Sequence, residues 1–303
     1  MLNKIARSFD ARVIQRVEAK IKQFAGSSSS RVLTQIATLI DYLRFFRSLP
    51  STEAFSLPLE SLPAWELLHK NGICIIENFW DEATCAAARA EIERILVEYP
   101  DYVHPHPKAD FRVFGAENLS DLISRFSNNA MFRSMASRYN CTPTRTAFTM
   151  AAKMPVRLGS LGSGEGWHRD AFFRQFKAII YLSDVTEENG PFQFIEGSYK
   201  LGNILKDIWH GKLGYMQNRI RDDQVDALLR KDTSRLQTYT AKAGTLILVD
   251  TSSIHRGMPI REGVRYALTD YFFPEERIGR ALYEQFAPVA GVIDANKKFV
   301  DKR

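Results

Sequence analysis

The sequence has few cysteines and no long apolar run, and each absence excludes a class of protein. The chain has three cysteines, Cys74, Cys85 and Cys141. This small and odd number does not indicate a disulfide framework. No apolar stretch approaches the roughly 18 residues of a membrane-spanning helix. Charged residues interrupt the N-terminal region where a signal peptide would need an apolar core. We therefore expect a reducing, cytoplasmic location.

Glycine and proline are also modest in number, with 17 and 12 residues in a chain of 303, and they follow no period. This excludes a collagen-like or low-complexity protein. A composition of 45% hydrophobic and 25% charged residues is instead typical of a folded globular chain.

The net charge of +6 lies entirely in the first part of the chain. Residues 1–48 contain nine Lys or Arg against three Asp or Glu, and the remainder is neutral. A basic extension on a neutral body argues against a nucleic-acid-binding face across the main domain.

The basic segment has the pattern of two amphipathic helices separated by Gly26 and a run of serines. Apolar residues recur every three or four positions on both sides of this break. Two alternatives are open for residues 1–48: the helices pack on the body or on a second copy of the chain, or they lie on an anionic membrane surface as a peripheral contact. We treat residues 1–50 as a helical extension and 51–303 as the main domain.

Beyond residue 145 the chain alternates short apolar runs with turns. The expected strands are Thr146–Met154, Ala178–Leu182, Gln193–Ile195, Thr245–Val249 and Arg265–Phe273. This pattern predicts an α+β protein that is mainly β, with an antiparallel sandwich or barrel and helices gathered towards the N-terminus. An insertion is expected at about residues 202–239, with a polar helix near 222–231.

A histidine and an aspartate two positions apart form the first candidate site. His168 and Asp170 would point to the same side of a strand, so one metal ion could contact both. His255 follows a buried strand and could supply a second imidazole. Two histidines and one carboxylate leave positions open on the metal, as in non-haem Fe(II) oxygenases. Ten residues later, Arg265 offers a planar guanidinium suited to holding a carboxylate with two hydrogen bonds.

Four segments in this order resemble the phytanoyl-CoA dioxygenase family of Fe(II)- and 2-oxoglutarate-dependent oxygenases. They are Trp-His168-Arg-Asp170, the segment from Leu182 through Glu-Asn-Gly-Pro to Lys200, His255-Arg-Gly, and Arg265. With the opening strand near Gly72, the resemblance covers about residues 65–275. Arg169 stands where the family usually has Gln, and Glu196 and Tyr199 replace the Pro and His of its Pro-Gly-Ser-His segment.

The resemblance implies a double-stranded β-helix, the jelly-roll or cupin-like fold. It also implies that His168, Asp170 and His255 bind Fe(II), and that Arg265 binds the distal carboxylate of the cosubstrate 2-oxoglutarate. The implied reaction uses O2, releases succinate and carbon dioxide, and hydroxylates a small organic molecule. Asp170 favours hydroxylation over halogenation, because related halogenases have a small residue in its place.

Further candidates rest on their position in the sequence alone. Strand residues flanking the ligands are candidates for the cosubstrate pocket: Lys153, Thr149, Tyr181 and Thr269. Residues of a loop and of the insertion could form a lid over an anionic substrate: Arg112, Trp209, Arg219 and Arg221.

Two other functions remain open at the level of sequence. A jelly-roll scaffold protein could associate with a membrane or a partner through its N-terminal helices, although it would not need three metal ligands and Arg265 together. A zinc hydrolase could use the same ligands, but the sequence offers no well-placed general base.

Overall fold

The computed structural model of the protein describes residues 2–27, 29–47, 49–105, 110–280 and 282. Within these ranges the helices are α1 Leu2–Ser27, α2 Arg31–Arg47, α3 Leu62–Asn71, α4 Glu82–Glu98, α5 Asp121–Ser127, α6 Ala130–Asn140, α7 Leu201–Gly211 and α8 Asp222–Leu229. The strands are β1 Ile73–Ile76, β2 Val103–Pro105, β3 Phe111–Phe114, β4 Thr144–Pro155, β5 Phe176–Tyr181, β6 Phe192–Ile195, β7 Leu236–Tyr239, β8 Leu246–Asp250, β9 His255–Gly257 and β10 Val264–Pro274.

Two antiparallel sheets form the centre of the molecule. The larger sheet has the strand order β1-β8-β5-β10-β4-β3-β2, and the smaller has the order β7-β6-β9. Phe192 and Phe194 of the smaller sheet pack in one apolar cluster with Ile247 and Val249 of the larger sheet. The sheets therefore face each other, and the predicted α+β architecture with a jelly-roll core is confirmed.

Helices cover the outer faces of both sheets. Alternate residues of β8 and β10, among them Leu248 and Leu268, pack outward against α3 to α6. On the smaller sheet, Ile195 packs against Ile204 and Ile208 of α7. Strand β8 is buried on both faces, and its sequence is therefore an almost continuous apolar run. One face of β10 lines the space between the sheets, and this strand contains polar residues as well.

Helix ends follow local side-chain chemistry. Asp81 accepts a hydrogen bond of 2.7 Å from the amide of Thr84 and caps the first turn of α4. Asn129 caps α6 in the same way through the amide of Met131, at 3.0 Å. Gly72 ends α3 in the left-handed conformation, with φ of 78°, and leads directly into β1.

Two expectations about elements are corrected by the structure. Arg112 was expected in a loop, but Val103–Pro105 and Phe111–Phe114 pair as strands at the edge of the larger sheet. The stretch expected to contain mostly strands also includes α7. Its Ile204 and Ile208 are four residues apart, as on one face of a helix, and both are buried; the sequence already contained this signal.

The second N-terminal helix packs on the body of the protein. Gln35 donates a hydrogen bond of 2.9 Å to the carbonyl of Leu205 in α7. The rings of Tyr42 and Phe45 lie 5.7 and 5.4 Å from the ring of Phe173, between the centroids. These contacts agree with the packing alternative for α2, and membrane contact or oligomerisation through residues 1–48 gains no support from them. None of the described helices combines the length and the apolar character needed to cross a bilayer.

Candidate metal and cosubstrate site

His168 and His255 are brought together by a short antiparallel pairing. Each residue donates its backbone amide to the carbonyl of the other, with both N–O distances at 2.9 Å. The segment around His168 thereby extends the smaller sheet beside β9. The two imidazole centroids lie 4.3 Å apart.

Asp170 completes a group of three potential metal ligands. Its two carboxylate oxygens each lie 3.5 Å from an imidazole Nε2, one from that of His168 and the other from that of His255. The three ligand atoms all lie within 4.8 Å of one another, so one metal ion could contact all of them. This convergence of His168 and Asp170 agrees with their expected positions on one side of an extended segment, and the side chain of the intervening Arg169 donates to the Ser252 carbonyl instead.

Backbone carbonyls orient both imidazoles. Nδ1 of His168 lies 2.9 Å from the carbonyl oxygen of Gly166, and Nδ1 of His255 lies 2.9 Å from that of Ser253. A carbonyl can only accept, so each Nδ1 carries a proton, and in a neutral imidazole Nε2 is then the nitrogen that can bind a metal. This is the tautomer that a metal-binding histidine needs.

Charges around Asp170 keep it ionised. Burial alone would raise the pKa of Asp170, but the neighbouring Lys177 holds it well below its usual range. Nζ of Lys177 lies 2.8 Å from Oδ2 of this carboxylate. Burial and the neighbouring His168 lower the pKa of His255, which favours the neutral, ligating form. Lys177 was missed at the level of sequence.

A glycine allows the chain to pass close to the first imidazole. Gly164 has φ of 85°, and a Cβ at this position would lie 2.1 Å from Cε1 of His168. Any side chain here would displace the imidazole or the loop.

The three residues line a cavity of about 470 Å³ between the sheets. This volume is within the range of small-molecule sites. Its apolar wall includes Phe114, Met150, Ile179 and Phe273, and its basic residues are Arg112, Lys177, Arg219 and Arg265. Arg169, Glu196 and Tyr199, the departures from the family pattern, do not line it.

Arg265 lies in the same cavity with part of its guanidinium unpaired. It is 5% exposed, and its buried Nε has no hydrogen-bond partner among the described residues. One Nη lies 3.0 Å from the thioether sulfur of Met154, and no carboxylate in the described ranges forms an ion pair with it. A buried guanidinium without a carboxylate partner is suited to an anionic ligand. Glu262 and Asp270, the acidic residues nearest to Arg265 in the sequence, do not pair with it.

The four strand residues proposed for the cosubstrate pocket lie on two different faces of the larger sheet. Tyr181 and Thr269 line the cavity. Thr149 and Lys153 do not support the expected cosubstrate role, because β4 turns them towards the helices. Thr149 donates a hydrogen bond of 2.6 Å to Asp270, and Lys153 pairs with Glu93 of α4.

The predicted lid residues are likewise only partly brought together. Arg112 and Arg219 line the cavity. Trp209 is 46% exposed on α7 and stacks with Arg31 instead. Arg221 forms an exposed ion pair with Asp223 at the start of α8.

The end of β8 and the turn that follows it form hydrogen bonds with the segment that contains Asp170. Asp250 accepts hydrogen bonds from the amides of Gln175 and Ser252, at 3.0 and 2.9 Å. The carbonyl of Thr251 accepts one of 2.9 Å from the amide of Asp170. Asp250 therefore holds the backbone that positions Asp170.

The family model described as phytanoyl-CoA dioxygenase (PhyH) matches residues 68–263. A core of two facing antiparallel sheets, a His-Asp-His group and a buried arginine define the class of Fe/2-oxoglutarate-dependent oxygenases. The chain belongs to the phytanoyl-CoA dioxygenase family.

Known proteins with similar sequences and structures agree with this assignment. An ectoine dioxygenase of Bordetella bronchiseptica is 22% identical over 207 residues, which span 61% of this chain and 66% of that protein. The epimerase SnoN from nogalamycin biosynthesis, solved with Fe3+, alpha ketoglutarate and nogalamycin RO, has a TM-score of 0.56 at 17% identity, covering 76% of this chain and 91% of its own. EctD from S. alaskensis, solved with 2-oxoglutarate and 5-hydroxyectoine, has a TM-score of 0.53 at 15% identity, covering 71% and 76%.

The family to which the chain belongs is one of Fe/2-oxoglutarate-dependent oxygenases. The structural neighbours of this chain include a carbocyclase from nogalamycin biosynthesis as well as the epimerase and EctD. The fold is thus compatible with several oxidative outcomes.

Proposed function

We propose that the protein hydroxylates a small organic molecule, with Fe(II) as metal and 2-oxoglutarate as cosubstrate. The balanced reaction consumes substrate, O2 and 2-oxoglutarate, and yields the hydroxylated product, succinate and carbon dioxide. The observation that carries the proposal is the pairing of a His168, Asp170 and His255 group with an unpaired buried Arg265 in one cavity.

The donor set fits the proposed metal. Two neutral imidazoles and one carboxylate on one side of an ion leave positions for an oxoacid and for O2. Bound Fe(II) would supply the oxidation chemistry. The protein residues orient the ligands through Gly166 and Ser253, and the apolar wall of the cavity limits access of water.

The cosubstrate proposal rests on Arg265. Its buried Nε lacks a partner, and a carboxylate is the group that satisfies a guanidinium with two parallel hydrogen bonds. Thr269 lines the same wall and could donate a further hydrogen bond from its hydroxyl. Tyr181 also lines this wall, but its hydroxyl donates to the carbonyl of Tyr239. Asp170 fills the position that a halide would need, and it therefore favours hydroxylation over halogenation in our proposal.

The test is spectroscopic and enzymatic. Anaerobic Fe(II) with 2-oxoglutarate should give a weak visible charge-transfer band, which Zn(II) cannot give. A substrate library scored by succinate release, with oxygenated products identified by mass, should then find the substrate, with Asp170→Ala as blank.

Ligand variants sharpen the test. His168→Ala and His255→Ala should each remove the band and Fe(II) binding, because losing one ligand destroys the facial arrangement. His210→Ala, which changes an exposed histidine outside the cavity, is the matched control. Full succinate production by either ligand variant would refute the metal assignment.

A further inference from the structure

A buried lysine stands beside the proposed metal ligands. The side chain of Lys177 is 6% exposed, and its Nζ lies 2.8 Å from Oδ2 of Asp170. The same Nζ lies 3.8 Å from the centre of the Tyr271 ring. An ammonium has three N–H donors; Asp170 accepts from one and the Tyr271 ring lies over the charge, which leaves at least one donor for a further partner. Lys177 therefore presents a positive charge to the cavity next to the metal position.

Lys177 and Arg265 lie at opposite ends of the cavity. Lys177 pairs in register with Tyr271 of β10, and Arg265 precedes Tyr271 by six residues in the same strand. At about 3.3 Å per residue, the two strand positions are roughly 20 Å apart. Residues separated by an even number of positions point to the same face of a strand, so Arg265 and Tyr271 share a face. Lys177, which lies opposite Tyr271 in the neighbouring strand, faces the same cavity. The cavity has two separate basic ends.

The charges of the cavity do not balance when the metal and the cosubstrate are counted. The two charges of Fe(II) and that of Arg265 would be offset by Asp170 and the two carboxylates of 2-oxoglutarate. Arg112 is paired with the buried Asp110 at 2.6 Å. Lys177 and Arg219 then remain, and Arg219 contacts the Gly164 carbonyl but no carboxylate within the described ranges. A positive surplus in a cleft with low-dielectric walls favours an anionic ligand.

We infer that the substrate carries an oxyanion, a carboxylate or a phosphate, that binds to Lys177 at the end of the cavity remote from Arg265. This inference rests on the proposed function, because it assigns Arg265 to the cosubstrate. The exposed Arg219 at the rim attracts the same anion. Since Lys177 touches a metal-ligating carboxylate, the oxidised carbon lies within a few bonds of the anionic group.

The walls near Lys177 define the rest of the substrate. Phe114, Met150, Tyr271 and Phe273 line the cavity. They offer apolar and aromatic surface to a carbon skeleton. The expected substrate is thus a compact organic acid or phosphate ester with an apolar body.

The experiment titrates the anaerobic Fe(II)–2-oxoglutarate complex of the full chain with three probes of similar shape. Benzoate and phenyl phosphate are anionic, and benzamide is neutral. We expect at least one anion to shift the charge-transfer band saturably, with an affinity at least tenfold above that of benzamide. The two anions distinguish a carboxylate-binding from a phosphate-binding site. Lys177→Met should remove this preference, and Lys177→Arg should retain part of it.

Controls separate the inference from its alternatives. Lys242→Met changes an exposed lysine that pairs with Asp184 and should behave as wild type. A tenfold increase in 2-oxoglutarate should leave the shift intact, whereas an anion bound at Arg265 would be displaced. If Lys177→Met fails to form the band, the comparison of the two anions with benzamide in the wild-type protein tests the inference by itself.

Three results would overturn the inference: equal effects of benzoate, phenyl phosphate and benzamide, an unchanged preference in a Lys177→Met protein that still forms the band, or displacement by excess cosubstrate. Weaker 2-oxoglutarate binding in Lys177→Met without loss of the anion preference would assign the ammonium to the cosubstrate instead. Failure of the wild-type protein to form the band at all would refute the proposed function, and is a separate outcome.

Discussion

The hydroxyl of Tyr139 on α6 donates a hydrogen bond of 2.6 Å to Oδ2 of Asp250, at the end of β8. Both groups are buried, and burial together with Asp250 raises the pKa of Tyr139 well above its usual value, so the phenol remains a donor. The bond joins the helical layer to the turn that holds the backbone of Asp170. An element outside the cavity thus helps to position a metal ligand.

We expect Tyr139→Phe to weaken Fe(II) binding about tenfold, the lower end of the effect usually seen when a partner of a metal ligand is removed. Titration with Fe(II) in the presence of 2-oxoglutarate measures this effect. Tyr215→Phe is the matched control. Tyr215 also donates a hydrogen bond to an aspartate, Asp41, and neither of these two residues lines the cavity. Equal metal affinity in the two variants would contradict the positioning role of Asp250.

Arg265→Ala should raise the KM for 2-oxoglutarate. Leaving the distal carboxylate buried without its counter-charge costs on the order of 2 to 5 kcal/mol, which corresponds to about thirtyfold or more. Arg265→Lys should restore binding only in part, because an ammonium cannot make the two-pronged contact. Fe(II) affinity should hardly change.

Arg261→Ala provides the comparison for Arg265, since it removes an exposed arginine whose neighbour is Glu188. Steady-state kinetics and melting temperature are measured on the same preparations. A lower melting temperature with an unaltered KM in Arg265→Ala would assign Arg265 a purely structural role.

Asp270 predicts a dependence of stability on pH. Burial raises its pKa well above the model-peptide value of 3.8, and only the hydrogen bond from Thr149 opposes this shift. The folded state then holds a proton that the unfolded state releases, so the stabilising contribution is complete below about pH 4 and declines as pH rises towards the folded pKa.

Asp270→Asn should remove this decline, because an amide does not ionise. Relative to wild type, the free energy of unfolding of the variant should increase with pH by up to about 1.4 kcal/mol per unit. Urea unfolding between pH 4 and 8 measures the difference, with the exposed Asp101→Asn as control. A difference that does not change with pH would show that Asp270 is ionised in the folded protein.

The contact between α2 and the loop after Asp170 predicts that the N-terminal helices stabilise the body. The Phe46 ring lies 6.3 Å from that of Phe173 and 4.8 Å from the Arg174 guanidinium. Phe46→Ala should lower the free energy of unfolding by about 0.5 to 3 kcal/mol, whereas Leu43→Ala, at a 56% exposed position, should have little effect. Equal stability of both variants, together with binding of the full chain to anionic liposomes, would instead favour the membrane alternative.

The residues of the proposed metal site could be predicted from sequence because two of them are set by short-range spacing. His168 and Asp170 share a face whenever the segment is extended, and Arg265 lies on a strand whose alternation is plain. Lys177 could not be found in the same way. Its partner Asp170 is seven residues away across a turn, and a single lysine in an apolar strand forms no motif.

The sequence of β4 does not indicate which of its two faces lines the cavity, and for this reason the expected roles of Thr149 and Lys153 differ from their positions in the structure. Both faces of this strand are buried: Met150, Ala152 and Met154 line the cavity, while Thr149 and Ala151, which alternate with them on the opposite face, are equally buried. Where both faces are buried, only the register against β10 decides which residues point inward, and that register is a property of the folded sheet.

The carbonyls of Gly166 and Ser253 that orient the two imidazoles belong to the main chain, and every residue type has one. No replacement of a side chain at position 253 can delete that acceptor, and at position 166, where φ is 85°, only the path of the loop can be disturbed. The orientation of the histidines is thus insulated from most point mutations. The side chains around the cavity can therefore diversify towards new substrates while the main chain keeps the two imidazoles in the same orientation.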